Sequence, residues 1–211
     1  MIKPKLAALA SVTLMGGAEA QADAHNQPLS ERPAIVFFLS VINPEEPEAY
    51  ERYSAGSAEL LRAAGAVTVG RFGVTGALRG DCKGSFFGYA EVENAETLEA
   101  VFTSEAYQAL LPDRAKAFTS LELYFGTSNA VGANALTPSA GATVLLTLGA
   151  GSANRDDRAF PEAKILASFG VTQHIAGVCA VDVFEVLEQD AGASQTAQGL
   201  GGSDSILVLK N

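Results

Sequence analysis

The chain has 211 residues, 48% of them hydrophobic and 18% charged, with a formal net charge of −10. That composition supports a packed core, and so acidic a surface repels phosphate backbones, which argues against nucleic-acid and anionic-membrane partners. Two cysteines (Cys82, Cys179) and two histidines (His25, His174) are too few for a disulfide scaffold or a multi-histidine zinc site.

Met1–Lys5 is short and basic, and Leu6–Ala18 is an apolar run broken only by small residues. Ala18-Glu19-Ala20 and Ala20-Gln21-Ala22 both fit the small-x-small rule of signal peptidase. The run is too short for a permanent membrane anchor. Residues 1–20 are therefore expected to be a signal peptide, leaving a periplasmic or secreted chain with no membrane insertion. The alternative is a buried N-terminal helix, which nothing amphipathic supports. Residues 21–33 are polar, carry Pro28 and Pro33, and are expected to be a disordered lead-in.

Ala34–Ile42 is apolar at both alternating sets of positions, which predicts a strand covered on two faces. Asn43–Glu48 supplies prolines and acids suited to a helix start. Tyr50, Tyr53, Ser57, Leu60 and Leu61 make one helical stripe that Gly65 ends. Val67–Leu78 reads as a strand loosened by Gly70, Gly73 and Gly76. A hairpin loop at 79–84 leads into a strand over 85–93, then a helix capped by Asn94, with Leu98, Val101 and Phe102 buried. A second helical segment starts at Ser104 and is interrupted by Pro112. A closing strand runs over 120–125. The order βαββαβ is the ferredoxin-like arrangement of an α+β domain, placed at 34–127.

Residues 128–141 have linker composition. The pattern then restarts with a strand at 142–148 and a helix carrying Phe160, Ala163, Ile165, Leu166 and Phe169 that ends at Gly170. Val171-Thr172 to Gly177-Val178 follows, aligned with Val67-Thr68 to Gly73-Val74. Residues 181–187 extend that strand, and 205–210 form a last one. Residues 142–211 are thus expected to be a truncated βαββ second copy.

Residues 34–127 resemble the domain of unknown function 1330 family, within the dimeric α/β-barrel superfamily. The resemblance rests on Gly70-Arg71-Phe72, on Tyr89-Ala90-Glu91-Val92, and on Ser104-x-x-Tyr107-Gln108 with Arg114 six residues on. Val69, Thr75 and Val101-Phe102 depart from the family pattern. The resemblance implies two ferredoxin-like sheets facing each other as a dimeric-α/β-barrel-type pair, normally from two protomers. The second copy would act as partner within the chain, making a pseudo-dimer, or the first copy would form a homodimer. No established activity is implied. By family position, Tyr107 and Arg114 are the site candidates, against packing and local pairing.

Arg71, among glycines, can receive an anionic ligand group or pair with a surface acid. Tyr50 shares a stripe with Tyr53 and is a binding candidate or simply core. His174 can act as a general base, though no companion stands at a fixed spacing, and Tyr107 could move a proton. Cys82 and Cys179 can pair in an oxidising compartment. Gly149–Asn154 is a partial dinucleotide fingerprint without its third glycine, and reads as an ordinary loop. No metal or cofactor motif stands out. The favoured expectation is a small-molecule binder with its ligand between sheet and helices. The alternatives are a cofactor-free oxygenase or isomerase acting on a small aromatic or lactone, and a structural or interaction module.

Overall fold

The computed structural model describes residues 33–130, 138–139, 142–149, 160, 162–190 and 205–210. The expected signal peptide, almost all of the lead-in and most of the linker lie outside the described residues, as does the Gly149–Asn154 loop beyond its first residue.

The first half is β1 (Ala34–Ile42), α1 (Pro47–Ala63), β2 (Val67–Arg79), β3 (Phe86–Val92), α2 (Ala95–Thr103), α3 (Glu105–Gln108), α4 (Leu111–Ala117) and β4 (Phe118–Ala130). Local chemistry sets these boundaries. Pro47 and Glu48 open α1, and Gly65, at φ 79°, lets the chain leave it. The Asn94 side chain accepts the Thr97 N–H at the start of α2. β4 begins two residues earlier than expected because Phe118 pairs with Ile42 of β1, and it runs through the start of the expected linker because its second half pairs with β6 as far as Ala130.

The second half is β5 (Thr143–Gly149), β6 (Lys164–Ala176), β7 (Val183–Gln189) and β8 (Ser205–Lys210). Two expectations fail here. The helix expected to end at Gly170 is the first part of β6, and Gly170 is a mid-strand residue paired with Thr127 and Val183. Leu166, Ala167, Ser168 and Phe169 are all buried, because one face of β6 meets the barrel interior and the other is covered. A strand buried on both faces shows no clean alternation, so its apolar positions imitate a helical stripe. Residues 171–187 are likewise not one strand. They form a hairpin that turns at Gly177, φ 111°.

Among the described residues, eight strands close into one antiparallel barrel, ordered β1-β3-β2-β8-β5-β7-β6-β4. Each half contributes four strands in the same internal order, with fourth, first, third and second as neighbours. The seams β2–β8 and β4–β6 join the halves. β2 and β6 are both 13 residues long. Gly73 faces Phe86 across its hairpin as Gly170 faces Val183, and irregularities fall at Thr68/Gly70 and at Ile165/Ala167. This register sets Phe72-Gly73-Val74-Thr75 on Phe169-Gly170-Val171-Thr172, and Gly80, Cys82 and Phe87 on Gly177, Cys179 and Phe184. It lies seven residues from the alignment the Val-Thr dipeptides suggest.

The barrel interior is a packed core. Phe37 lies 4.2 Å from Phe184 and 5.6 Å from Tyr124 between ring centroids, and Tyr89 lies 4.9 Å from Phe169. Val36, Ala90, Leu123 and Phe125 face outward, into a second apolar cluster under the helices of the first half. That outer layer positions the candidate site.

Candidate binding cavity

Between α1 and the outer face of β1, β3 and β2 lies a cavity of about 160 Å³. Its sheet wall includes Phe38 and Phe86, stacked with ring centroids 5.8 Å apart. Gly88 makes that arrangement fit. It faces Phe38 across the β1–β3 ladder, and a Cβ there would come within 2.7 Å of the Phe38 ring. The helix wall carries Tyr50, Tyr53, Ser54, Ser57 and Ala58. Tyr50 is held edge-on against Phe118 at 5.9 Å, and Tyr53 against the same ring at 5.6 Å.

Charge enters only at the rim. Arg71 lies on the outer face of β2, exposed, with its guanidinium 5.8 Å from the Phe86 centroid. Arg62, in the last turn of α1, is the other exposed guanidinium in the lining. Among the described residues, neither has a carboxylate within ion-pair distance. Arg52, farther up α1, is by contrast clamped on Asp113, with Nη2 2.8 Å and Nε 3.1 Å from Oδ1. That pairing pulls the Asp113 carboxyl below its usual range and raises the Arg52 guanidinium.

Tyr107 and Arg114 stand one layer behind the wall. The Ser104 hydroxyl accepts the Tyr107 N–H at 3.2 Å and donates to Val101 O at 2.7 Å, so one side chain ends α2 and starts α3. Gln108 Nε2 donates to Phe102 O at 2.8 Å, locking the corner. This is the physical content of the Ser104…Tyr107-Gln108 motif: it aims a fully buried Tyr107 at Tyr53. The two hydroxyls are 3.1 Å apart, and Arg114 Nη1 donates to the Tyr107 oxygen at 3.3 Å. Burial pushes the Tyr53 phenol far above its ordinary value, neighbouring Tyr107 adds to this, and Arg114 opposes it.

His174 belongs to a different place, the end of the barrel closed by the β2–β3 and β6–β7 loops. Its ring stacks on Tyr124 at 4.6 Å, and Nε2 lies 2.7 Å from Ala176 O, to which it donates, and 3.6 Å from Glu122 Oε2. Glu122, 3% exposed, accepts the Val178 and Cys179 N–H groups at 2.9–3.0 Å and the Tyr124 hydroxyl at 2.9 Å. A side chain at Gly177 would collide with that carboxylate. Burial, then the Glu122 bond, raises the Tyr124 phenol strongly. Cys82 and Cys179 are joined in a disulfide across this end. Sequence reasoning missed Glu122. Its signal was a charge two residues before Tyr124, on the inward face of a strand.

Thus Arg71, Tyr50 and Tyr53 share the cavity, Tyr107 and Arg114 support its wall, and His174 lies apart. Among the described residues no cluster of three His, Cys, Asp or Glu side chains could hold a metal ion. No helix among them is long and apolar enough to cross a membrane.

Residues 36–125 match the family model of the domain of unknown function DUF1330, so the resemblance carried by the sequence motifs holds over almost the same residues. No curated protein matches the chain. Among solved structures, a protein of unknown function from Rhodopseudomonas palustris is similar at 19% identity, over 52% of this chain and 92% of its own, with TM-score 0.41. An anthrone oxidase-like protein is similar at 11% identity, over 86% of this chain and 92% of its own, with TM-score 0.48. A mutant chlorite dismutase from Candidatus Nitrospira defluvii is similar at 11% identity, over 87% and 93%, with TM-score 0.45. These neighbours are of the dimeric α/β-barrel type.

Proposed function

We propose that the protein binds a small, mostly apolar, anionic molecule in the cavity between α1 and the barrel. One observation carries this reading: an aromatic-walled space of about 160 Å³ with two guanidinium groups at its rim and, among the described residues, no carboxylate within ion-pair distance of either. The size is comparable to a cavity of about 150 Å³ that takes benzene. A planar body would stack on Phe38 and Phe86, and its charge would meet Arg71. The oxygenase or isomerase reading relies on His174 or Tyr107 to move a proton. Neither is among the residues that line the cavity, so binding takes precedence.

The test is thermal shift with benzoate, phenylacetate and salicylate. Wild type should be stabilised by at least one of them, Arg71→Ala should need several-fold more ligand, and Ala58→Trp should lose the response. A wild type indifferent to all three at millimolar concentration would overturn the reading.

The same barrel supports a reading of the second half as a diverged copy that stands where a partner protomer would stand. On that reading the chain needs no homodimer to close its barrel. Light scattering on purified protein should give a monomer at or just below 21.8 kDa; a dimer would contradict it. The Cys82–Cys179 bridge supports a periplasmic or secreted location. Thiol alkylation before lysis should leave both cysteines unlabelled.

A further inference from the structure

We propose that Tyr53 is the ligand-selecting hydrogen-bond donor of the cavity, held in that role by Tyr107 and Arg114, so that the ligand carries a carbonyl or other oxygen acceptor on its apolar body. The inference rests on the cavity reading above and specifies the ligand class.

It follows from counting protons. A guanidinium only donates, and a phenol has one proton to give. Arg114 Nη1 donates to the Tyr107 oxygen at 3.3 Å, and the two phenol oxygens are 3.1 Å apart. One of the two tyrosines must supply the shared proton. Tyr107 is 2% exposed and packed at 4.3 Å on the Phe102 ring. The described structure gives its hydroxyl no acceptor other than the Tyr53 oxygen.

If Tyr53 donated to Tyr107, the Tyr107 proton would be buried without an acceptor, which costs on the order of 1–3 kcal/mol. If Tyr107 donates to Tyr53, its proton is satisfied and the Tyr53 proton is left for an acceptor in the cavity, whose lining includes Tyr53. The second direction wins. Arg114 donates to Tyr107 and also acts directly on Tyr53, Tyr107 donates to Tyr53, and Tyr53 donates to the ligand, each bond polarising the next. Burial keeps Tyr53 a neutral phenol, and hence a donor, at physiological pH. Tyr107 and Arg114 are positioning residues, since neither lines the cavity.

The experiment uses two probes of nearly one shape. Acetophenone carries a carbonyl oxygen where α-methylstyrene carries a CH2. Binding of each is titrated by NMR to the full chain, to Tyr53→Phe, and to the pair Arg114→Met and Arg114→Gln. Wild type should prefer acetophenone by roughly three- to tenfold, the range of one hydrogen bond. Tyr53→Phe should abolish that preference while leaving α-methylstyrene binding within about twofold. Arg114→Met should reduce the preference, and Arg114→Gln, which keeps an N–H donor, should restore it. A merely structural role would weaken both probes together.

If α-methylstyrene binds, is excluded by Ala58→Trp, and wild type shows no preference for acetophenone, the donor assignment is overturned while the cavity reading stands. If neither probe binds wild type while benzoate does, the donor assignment falls and the cavity reading stands; if benzoate fails as well, both fall.

Discussion

The two outer faces of the barrel are built on the same strand order and are finished differently. In the first half Val36, Ala90, Thr68 and Arg71 face outward beneath or beside α1 and leave a cavity. In the strand register shared by the halves, their counterparts are Leu145, Leu187, Ile165 and Ser168. Larger aliphatic groups replace small ones, and the guanidinium is gone. Leu145, Leu187 and Ile206 pack with Phe160 into a closed apolar cluster. The interior keeps two rings at matching positions, Phe72 with Phe169 and Phe87 with Phe184, while Phe37, Tyr89 and Tyr124 match the aliphatic Leu146, Val186 and Leu207. In this close-packed core the larger rings of the first half fill space opposite the smaller aliphatic groups of the second, as Phe37 does against Phe184. The outer faces answer to different coverings and are free to diverge.

The largest effect that would test the equivalence of the halves is at their covalent link. Cys82 and Cys179 occupy matching loop positions 97 residues apart. Replacing both with serine should cost about 4 kcal/mol in urea unfolding, since the bridge restrains a long loop of the unfolded chain. A loss under about 1 kcal/mol would mean that the barrel end is held by the Glu122 contacts alone.

Next comes the closed face. Leu187→Ala should cost about 3 kcal/mol, as a truncated core leucine leaves a void. The mirror change, Ala90→Leu, gives the first half the residue of the second. It should alter stability by less than about 1.5 kcal/mol, because the added methyl groups enter existing space, and it should weaken benzoate binding. Equal and large losses in both variants would show that the two faces are packed alike.

The smallest effect is a pH dependence. Glu91 and Glu188 occupy matching positions, but Glu188 lies 3.5 Å from Lys164, whereas Glu91 pairs with Val67 across the ladder. Burial raises the Glu91 carboxyl above its ordinary value, while bonding to Ser139 draws Glu188 below it. A raised carboxyl holds its proton better when folded, so its stabilising contribution is present at low pH. That contribution is lost as pH rises from the unfolded pKa through the folded one. Glu91→Gln should therefore stabilise the protein at pH 7 relative to pH 4, compared with wild type in paired urea titrations. No pH difference between the two proteins would remove the contrast.

Much of the first half was legible in order. Pro47, Asn94, Ser104 and Gly65 mark helix ends through short-range chemistry, and such signals survive without knowledge of the fold. The candidate residues Tyr50, Arg71, Tyr107 and Arg114 were legible as types and positions. Their connection through Tyr53 was not, since it depends on how α1 lies against α3. The second half was harder because β6 is covered on both faces, which erases the period of two. Its true correspondence with β2 was hidden for a related reason. The Val-Thr dipeptide occurs twice in β2, at 67–68 and 74–75, and the ladder partners that select the second as the match of Val171-Thr172 lie on other strands.

By itself the sequence determined an acidic α+β chain whose first part reads βαββαβ and resembles the DUF1330 domain, with a second set of strands after a stretch of small residues. Those properties follow from charge, local propensity and caps, which act over a few residues. Only the tertiary structure decided that the eight described strands close into one barrel, that Cys82 meets Cys179, that Glu122 reaches the turn at Gly177, and that a cavity lies between α1 and the outer face of the first half. Each of these sums contacts between residues far apart in the chain, and the deciding quantity is how well two distant surfaces fill the space between them.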